Sequence, residues 1–277
     1  MPATHHVLVT GASKGIGKAI ALYLDQQGYH VMAGVRKEAD ASTLRAEGSD
    51  RLKPIMIDVT KPEMIATAAE TVRETVGDDG LYGLVNNAGI AVASPMEFIP
   101  MDDLRWQMEV NFFGQIAVIQ AMMPYIRMAT GRIINITSIA GKFAVPQNGA
   151  YSASKFALEA VTDAMRGELD QWGIKSVSIL PGAIKTEIFQ SGRSIADDIL
   201  EKLPPQAIEY YAEPMQAGRE MFEQMEGNAI PPVKVAEVVL TALTVTNPRP
   251  RYIIGKDARV VYHVLRFLPR RILKWLF

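Results

Sequence analysis

Short apolar segments alternate with longer amphipathic segments over the first two thirds of the chain. The apolar segments have the length of buried strands, and they predict strands at 7–10, 29–35, 54–57, 81–85, 132–136 and 175–180. Helical periodicity lies between several of them, over 16–27, 62–75, 101–123 and 150–170. Strands that alternate with helices form a parallel sheet that helices cover on both faces. The chain is therefore predicted to be α/β, with a doubly wound parallel sheet of the Rossmann type.

The bulk composition is that of a soluble globular protein, and residues 1–277 are expected to form a single domain. A net charge of −1 gives no overall attraction to nucleic acid, so no nucleic-acid partner is expected. The chain has no cysteine, and its four histidines lack ligand spacing, so no metal site is expected. The N-terminus does not resemble a signal peptide and no apolar run could span a bilayer, which predicts a cytoplasmic protein.

A glycine-rich turn follows the first strand and leads into the first helix. It reads Gly11, Ala12, Ser13, Lys14, Gly15, Ile16, Gly17. Backbone N–H groups and the dipole at a helix N-terminus bind phosphate, and glycine allows a pyrophosphate to approach closely. The glycine spacing differs from the usual G-x-G-x-x-G pattern, so the turn alone is weak evidence. Its position after the first strand predicts a nucleotide site.

The end of the second strand indicates which dinucleotide would bind. An acidic residue there would bind the ribose 2′-hydroxyl, whereas an arginine would meet a 2′-phosphate. This chain has Arg36 at that position and no carboxylate, and Lys14 could reach the same region. The sequence therefore favours NADP(H) over NAD(H), although both side chains could simply be solvated.

Unusual residues follow the predicted strands where each strand ends. These residues are Gly11, Arg36, Asp58, Asn86, Ser138 and Pro181. Ligands of open parallel sheets bind outside the carboxyl ends of the strands. One edge of the sheet is therefore expected to form the site.

Tyr151 and Lys155 lie four residues apart in the predicted helix 150–170 and so project from one face. An ammonium near a phenol favours the phenolate, which lowers the pKa of the tyrosine. Lowering that pKa by about three units needs roughly 4 kcal/mol. A unit charge at about 4 Å supplies about that much at an effective dielectric constant near 20. The pair is a candidate acid/base device, and the alternative is an exposed pair on a solvated helix.

Taken together, the motifs resemble the short-chain dehydrogenase/reductase family, in its single-domain branch. The matching pieces are 10–17, Asp58, 86–89, Asn111, Ser138, Tyr151 with Lys155, 181–182 and Thr186. The resemblance covers about 5–190 and resumes weakly at 251–257. In character it is closest to the steroid and retinol dehydrogenases.

The resemblance implies a role for each matching residue. The implied catalytic residues are Asn111, Ser138, Tyr151 and Lys155, with Tyr151 exchanging a proton with the substrate oxygen, Ser138 binding that oxygen and Asn111 holding a water. Lys155 would also bind the nicotinamide ribose. The implied cofactor residues are Gly11, Ser13, Lys14, Gly15, Ile16, Gly17, Arg36, Asp58, Val59, Asn87, Ala88, Gly89, Tyr151, Lys155, Pro181, Gly182, Ile184 and Thr186.

The implied reaction interconverts an alcohol and a ketone by hydride transfer, and the substrate follows from the residues near the site. Residues 187–232 interrupt the strand–helix alternation, and the resemblance implies that they form a helical substrate lid. Apolar and methionine-rich side chains there suit a lipophilic ligand such as a steroid or retinoid. These side chains are Phe189, Ile195, Ile199, Leu203, Tyr210, Tyr211, Met215, Met221, Phe222 and Met225, with Ala91, Val92, Pro95, Met96, Phe98, Phe143 and Val145 from nearby loops.

Other interpretations remain open at this point. The lid side chains could pack the lid onto the body of the protein. The chain could be a catalytically silent dinucleotide-binding sensor or scaffold, a reductase of small carbonyl compounds, or an enzyme that dehydrates or epimerises nucleotide sugars.

The C-terminal segment, about 256–277, mixes apolar, aromatic and basic residues and has no acid after Asp257. Such a segment can lie in a membrane interface, so peripheral membrane contact is a candidate role. Packing over the pocket or against another subunit is the alternative, and Pro269 would divide the helix. The resemblance also suggests a homodimer or homotetramer built on the helices that contain Asn111 and Tyr151.

Overall fold

The computed structural model of the chain describes residues 5–186, 188–264 and 267–268, and only the backbone of 188–193. Its described strands form one parallel sheet in the order β3-β2-β1-β4-β5-β6-β7. The strands are β1 His6–Val9, β2 His30–Val35, β3 Leu52–Met56, β4 Gly83–Asn86, β5 Arg132–Ile136, β6 Lys175–Pro181 and β7 Arg251–Ile254. The predicted Rossmann-type sheet is confirmed. The six predicted strands are present with ends shifted by one or two residues, and β7 adds an edge strand.

Helices cover both faces of this sheet. They are α1 Gly15–Gln26, α2 Glu38–Glu47, α3 Pro62–Val76, α4 Met101–Met108, α5 Gly114–Met128, α6 Gly149–Leu169, α7 Ile188–Lys202, α8 Pro205–Gly227, α9 Val233–Thr244 and α10 Lys256–His263. Side chains of α1, α2 and α9 pack with Val7 and Val9 in one core, whereas those of α3 and α5 pack with Leu8 in a second core. Successive strand residues point to opposite faces, so β1 serves both cores.

The strand order reverses between β1 and β4. Leu8 lies opposite Met32 on one side and opposite Leu84 on the other. The chain winds outward in one direction through β2 and β3 and in the other through β5, β6 and β7. A crevice forms at such a switch point, outside the carboxyl ends of the two central strands.

The predicted helix over 101–123 is divided in the structure. A π-helical turn, Glu109–Phe113, separates α4 from α5. Asn111 in this turn is fully buried, and a side chain at Gly114 would collide with the carbonyl oxygen of Val59. The apolar periodicity continues through the turn, which explains why the sequence predicts one helix.

The segment expected as a lid consists mainly of α7 and α8. Ile199 of α7 packs with Val92, Ile99 and Ala150 in a third, smaller core, which joins the lid to the body. A short bridge between Ile184 and Ile230 joins the two ends of the lid. Glu187 and the side chain of Phe189 lie outside the described part of the chain.

The C-terminal segment is described through Val264 and at 267–268, with α10 as its helix. The predicted break at Pro269 lies outside the described residues. No helix within the described ranges has both the length and the apolar composition to cross a bilayer.

Candidate active site

A cavity of about 690 Å³ opens at the carboxyl edge of the sheet, where the strand order reverses. Nearly all of the predicted site residues line it. They are Gly11, Ser13, Lys14, Gly15, Ile16, Arg36, Asp58, Val59, Asn87, Ala88, Gly89, Ser138, Tyr151, Lys155, Pro181, Gly182, Ile184 and Thr186. Gly17 and Asn111 do not line the cavity, but both contact residues that do.

The glycine turn follows β1 and brings the N-terminus of α1 to the cavity. Gly11 and Gly15 have φ angles of +64° and +57°, which favour glycine. A Cβ atom at Gly17 would collide with the carbonyl oxygen of Gly11 and the side-chain amide of Asn87. Gly17 therefore allows the close packing that shapes the turn. Unpaired N–H groups at this helix start can face a phosphate.

Thr10 and Asn87 join the ends of the two central strands. The Thr10 Oγ1 atom accepts hydrogen bonds from the backbone nitrogens of Asn87 at 3.0 Å and Ala88 at 3.1 Å. The Asn87 side-chain amide donates to the carbonyl oxygens of Thr10 at 3.0 Å and Gly11 at 3.1 Å. Thr10 enters the sequence-based prediction only within a motif, because a threonine at a strand end gives no distinct signal.

Basic and acidic side chains line the same cavity near the ends of β2 and β3. Arg36 and Lys14 both line it, as the sequence predicts. Burial raises the pKa of Asp58, but hydrogen bonds from the Thr60 backbone at 3.0 Å and hydroxyl at 2.8 Å outweigh it. With the nearby charge of Arg36, they hold the pKa of Asp58 below its ordinary value.

Asn111 braces the loop after β4. Its Oδ1 atom accepts from the Ile90 backbone nitrogen at 2.9 Å, and its Nδ2 atom donates to the Ile90 oxygen at 3.0 Å and to Ser154 Oγ at 3.1 Å. The Ser154 hydroxyl in turn donates to the Tyr151 carbonyl oxygen at 2.7 Å. The side chain thus connects the π-helical turn, the β4 loop and α6. The water that the sequence assigns to Asn111 stays a prediction.

Ser138, Tyr151 and Lys155 meet where β5 and α6 approach the cavity. The Lys155 ammonium donates to the Ile136 carbonyl oxygen at 2.9 Å and lies 5.7 Å from the centroid of the Tyr151 ring. The Ser138 hydroxyl hydrogen-bonds with the Tyr151 side chain. It also accepts from the Ala140 nitrogen at 3.1 Å, which fixes the turn after β5. A substrate oxygen could contact both hydroxyl groups.

The electrostatics of this trio differ from the sequence-based expectation. Burial raises the pKa of Tyr151, and the hydrogen bond with Ser138 only partly opposes that effect. Burial also lowers the pKa of Lys155 to about 8, with the charge of Glu159 acting in the opposite direction. The pKa of Tyr151 therefore lies above its ordinary value in this structure, and the predicted net lowering of that pKa is wrong here. Removal from water disfavours the charged form of both groups.

Asp257, at the start of α10, is a residue that the sequence analysis missed as part of the site. Its Oδ2 atom accepts from the Ala183 backbone nitrogen at 2.8 Å. A side chain at Gly182 would collide with the carboxylate of Asp257. The aspartate therefore holds the loop after β6 in place, and the weak resemblance at 251–257 is the only sequence signal for it.

The remaining wall of the cavity is largely apolar, and α7 and α8 supply much of it. The lining side chains from the predicted lipophilic set are Ile199, Leu203, Met215, Met221, Phe222, Met225, Ala91, Pro95, Phe143 and Val145. Others in that set pack the lid onto the body: Val92 and Ile195 lie in the third core, and the rings of Phe98 and Tyr211 are 5.9 Å apart. Met96 and Tyr210 are exposed. The predicted lining and the alternative packing role are therefore both present.

Metal-ligating side chains do not gather here or elsewhere in the described ranges, since no group of three or more histidines or carboxylates is placed to hold an ion.

A family model described as short chain dehydrogenase matches residues 5–196. Retinol dehydrogenase 16 of Homo sapiens is 36% identical over 269 residues, which cover 95% of this chain and 84% of that protein. The 17-beta-hydroxysteroid dehydrogenase type 6 of Bos taurus is 38% identical over 268 residues, with the same coverage of both chains.

Solved structures give the same assignment. A short-chain dehydrogenase from Streptomyces avermitilis superimposes with a TM-score of 0.81 at 28% identity, covering 99% of this chain and 97% of the other. A short-chain dehydrogenase from Burkholderia cenocepacia in complex with NADP superimposes with a TM-score of 0.74 at 28% identity and the same coverage. The chain belongs to the short-chain dehydrogenase/reductase family and is an NAD(P)-dependent oxidoreductase that acts on CH–OH groups.

Proposed function

We propose that this protein is an NADP(H)-dependent oxidoreductase that interconverts a lipophilic secondary alcohol and its ketone, with Tyr151 as the acid/base. One observation carries the proposal. Tyr151, Ser138 and Lys155 lie in a single cavity that runs from a glycine-rich turn to an apolar wall. A steroid, a retinoid or a similar compound would suit that wall.

The residues at the sheet edge fit a dinucleotide. Gly11 and Gly15 line the cavity at the N-terminus of α1, where a pyrophosphate would lie. Asp58 and Val59 would contact the adenine, and Ile184 and Thr186 would hold the nicotinamide end. Arg36 and Lys14 supply the positive charge that a 2′-phosphate needs. A structural relative in complex with NADP supports the same cofactor.

When it is bound, the nicotinamide supplies or accepts the hydride, and the protein supplies position and the proton. In the reductive direction the Tyr151 hydroxyl donates its proton to the substrate oxygen. The raised pKa of Tyr151 keeps the phenol protonated at neutral pH, as this step requires. Ser138 binds the same oxygen and stabilises the charge that develops on it. Lys155 binds the ribose and stabilises the phenolate that remains after proton transfer.

The lining of the lid supports a lipophilic substrate. Methionine and phenylalanine side chains from α8 face the cavity, and such side chains adapt to large apolar ligands. The names of two relatives describe dehydrogenases of a retinol and of a 17-beta-hydroxysteroid, and both compounds are lipophilic. A reductase of small carbonyl compounds would have less need of an extended apolar lining.

Peripheral membrane contact through 256–277 is a further part of the proposal. The described residues of this segment expose Val260, Val264 and Phe267. Apolar side chains next to basic residues suit a membrane interface, where a lipophilic substrate would also be concentrated. The proposed protein is thus cytoplasmic and contacts a membrane through this segment.

The decisive experiment replaces Tyr151 with phenylalanine. In Tyr151→Phe, kcat for ketone reduction is expected to fall about 10²- to 10⁴-fold, the usual contribution of a positioned acid. The Kd for NADPH should stay near the wild-type value, because the ring remains. Steady-state kinetics across a ketone panel and fluorescence titration measure the two quantities.

The exposed Tyr210 provides the matched control, since Tyr210→Phe removes a hydroxyl remote from the cavity. A wild-type rate in Tyr151→Phe would reject the mechanism. Wild-type protein that binds NADPH but turns over no ketone in the panel would instead favour a silent sensor or scaffold.

A further inference from the structure

Glu159 of α6 is a buried carboxylate that the proposed reaction does not use. It is only 1% exposed and lies one helical turn beyond Lys155. A buried carboxylate is costly unless it is paired and hydrogen-bonded. The partners of Glu159 therefore indicate which segments of the chain its charge holds together.

These partners come from three separate segments. Thr137, at the end of β5, donates its hydroxyl to Glu159 Oε1 at 2.7 Å. Arg251 of β7 donates from Nε to Oε2 at 2.9 Å, and the Lys142 ammonium lies 2.9 Å from the same oxygen. Their combined effect exceeds the raising effect of burial and holds the pKa of Glu159 below its ordinary value. The carboxylate is thus ionised and bound to all three segments.

Two of the partners flank Ser138. Thr137 precedes it, and Lys142 follows the short turn Ile139–Gly141 that Ser138 caps. The turn packs tightly on α6, because a Cβ at Gly141 would lie 2.9 Å from the Lys155 carbonyl oxygen and 3.1 Å from Glu159 Cγ. Glu159 therefore ties the segment that carries Ser138 to the helix that carries Tyr151 and Lys155.

The charge of Glu159 also acts on Lys155. Lys155 is 4% exposed, and its ammonium donates to a neutral acceptor, the Ile136 carbonyl oxygen. Burial lowers the pKa of Lys155, and Glu159 is the charge that opposes this fall. The cations Lys142 and Arg251 also form ion pairs with Glu159, and they weaken the effect of its charge on Lys155. Asp163 forms a second ion pair with Arg251 and partly neutralises that cation.

We propose that Glu159 is a positioning residue for the reaction, which holds the Ser138 turn against α6 and places a buried negative charge one helical turn from Lys155. This inference rests on the proposed function, because it gives Lys155 and Ser138 their roles there. Glu159 itself does not touch the cavity and so is not a catalytic residue.

The test is a direct titration of Lys155 in Glu159→Gln. Lysine labelled with ¹³C at Cε gives an NMR signal for each side chain, and the Lys155 signal is identified by its loss in Lys155→Arg. The pKa of Lys155, about 8 in the wild-type structure, is expected to fall by about one unit in Glu159→Gln. The high-pH limb of kcat/KM should move to lower pH by the same amount, because Lys155 then loses its proton earlier.

Asp163→Asn is the matched control, since it removes another carboxylate partner of Arg251 one turn further along α6. It should leave the pKa of Lys155 unchanged, which separates the charge of Glu159 from the general attachment of α6 to β7. Glu159→Asp keeps the charge and should retain most of the wild-type pKa.

Should Glu159→Gln fail to fold, Glu159→Gln with Arg251→Gln also removes the cation that has lost one of its two carboxylate partners, and it should show the same fall. An unchanged pKa of Lys155 in either folded variant overturns the proposal. The titration needs neither cofactor nor turnover. A wild-type rate in Tyr151→Phe would therefore reject the proposed function without altering this result.

Discussion

At the residue scale, we expect the proposed preference for NADP(H) to depend on Arg36. It follows β2 directly, lines the cavity and lies near the ionised Asp58. Replacing it with aspartate in Arg36→Asp would remove the partner of a 2′-phosphate and place two carboxylates beside it. A charge-assisted hydrogen bond contributes about 1.5–3 kcal/mol, which corresponds to roughly 10- to 100-fold in affinity. We expect KM for NADPH to rise by about that factor, with little change for NADH, in parallel initial-rate measurements.

Lys37→Asp is the control for this prediction. Lys37 carries the same charge at the next position but does not line the cavity. Equal losses of NADPH affinity in both variants would mean that Arg36 acts through general charge alone. An unchanged ratio of the KM values for NADPH and NADH in Arg36→Asp would contradict the assignment of NADP(H).

The family resemblance of the sequence identified most of the cavity lining, but the contacts of two residues came from the structure. Gly17 is read from the sequence as a phosphate contact, whereas its lack of a side chain allows Gly11 and Asn87 to pack together. The water ligand role of Asn111 stays a prediction, and the structure adds that its side chain is hydrogen-bonded to Ile90 and Ser154. Both sets of contacts depend on neighbours distant in the sequence, which no local pattern reveals.

At the scale of elements, α8 is where substrate preference is expected to be set. Met221 lines the cavity from this helix and is partly buried. Burying a methionine side chain against a ligand contributes about 1.5–3 kcal/mol. Met221→Ala should therefore raise KM for a steroid-sized ketone about tenfold or more, while KM for a small ketone such as acetone and both kcat values change little. Steady-state kinetics on the two substrates measure this difference.

Tyr210→Ala on the same helix truncates an exposed side chain outside the cavity and should change neither KM value. The same loss on both substrates in Met221→Ala would indicate that the helix has moved rather than that a contact was lost. An unchanged KM for the large ketone would argue against the lid as a substrate wall.

The division of the predicted helix over 101–123 is the clearest difference at this scale. Periodicity of apolar residues predicts a continuous helix, and α4, the π-helical turn and α5 do follow one another with no residue between them. The π-helical turn between them turns Asn111 inward and brings Gly114 against the Val59 carbonyl. Contacts with the β3 and β4 loops stabilise that turn, so tertiary packing outweighs the local helical pattern.

For the whole molecule, exposed aromatic side chains lie on the helices where the resemblance places a subunit contact. Trp106 of α4, Phe113 of the π-helical turn and Phe156 of α6 are 40%, 54% and 43% exposed, on segments that pack against one another. Apolar groups that a second copy would cover contribute to dimer stability, whereas a buried unpaired carboxylate costs free energy. Phe113→Glu with Phe156→Glu should therefore convert a wild-type dimer or tetramer to smaller species, as measured by light scattering after size-exclusion chromatography.

Val245→Glu, an exposed apolar position just after α9, is the matched change and should leave the mass unaltered. A wild-type mass in the double variant would reject this surface as the contact, and a monomeric wild-type protein would reject the proposed oligomer.

The sequence by itself determined the sheet, the order of its elements and the chemistry of its edge. It could do so because strand and helix periods, glycine turns and the Tyr151–Lys155 spacing are local properties, and because the carboxyl ends of parallel strands meet at one edge. Tertiary structure decided what burial and distant neighbours control. The pKa of Tyr151 is raised although an ammonium is near, Asp257 holds the loop after β6, and Glu159 joins α6 to residues 137–142 and to Arg251, which is 92 positions away. Desolvation and long-range hydrogen bonds depend on the complete surroundings of a group, which exist only after the chain has folded.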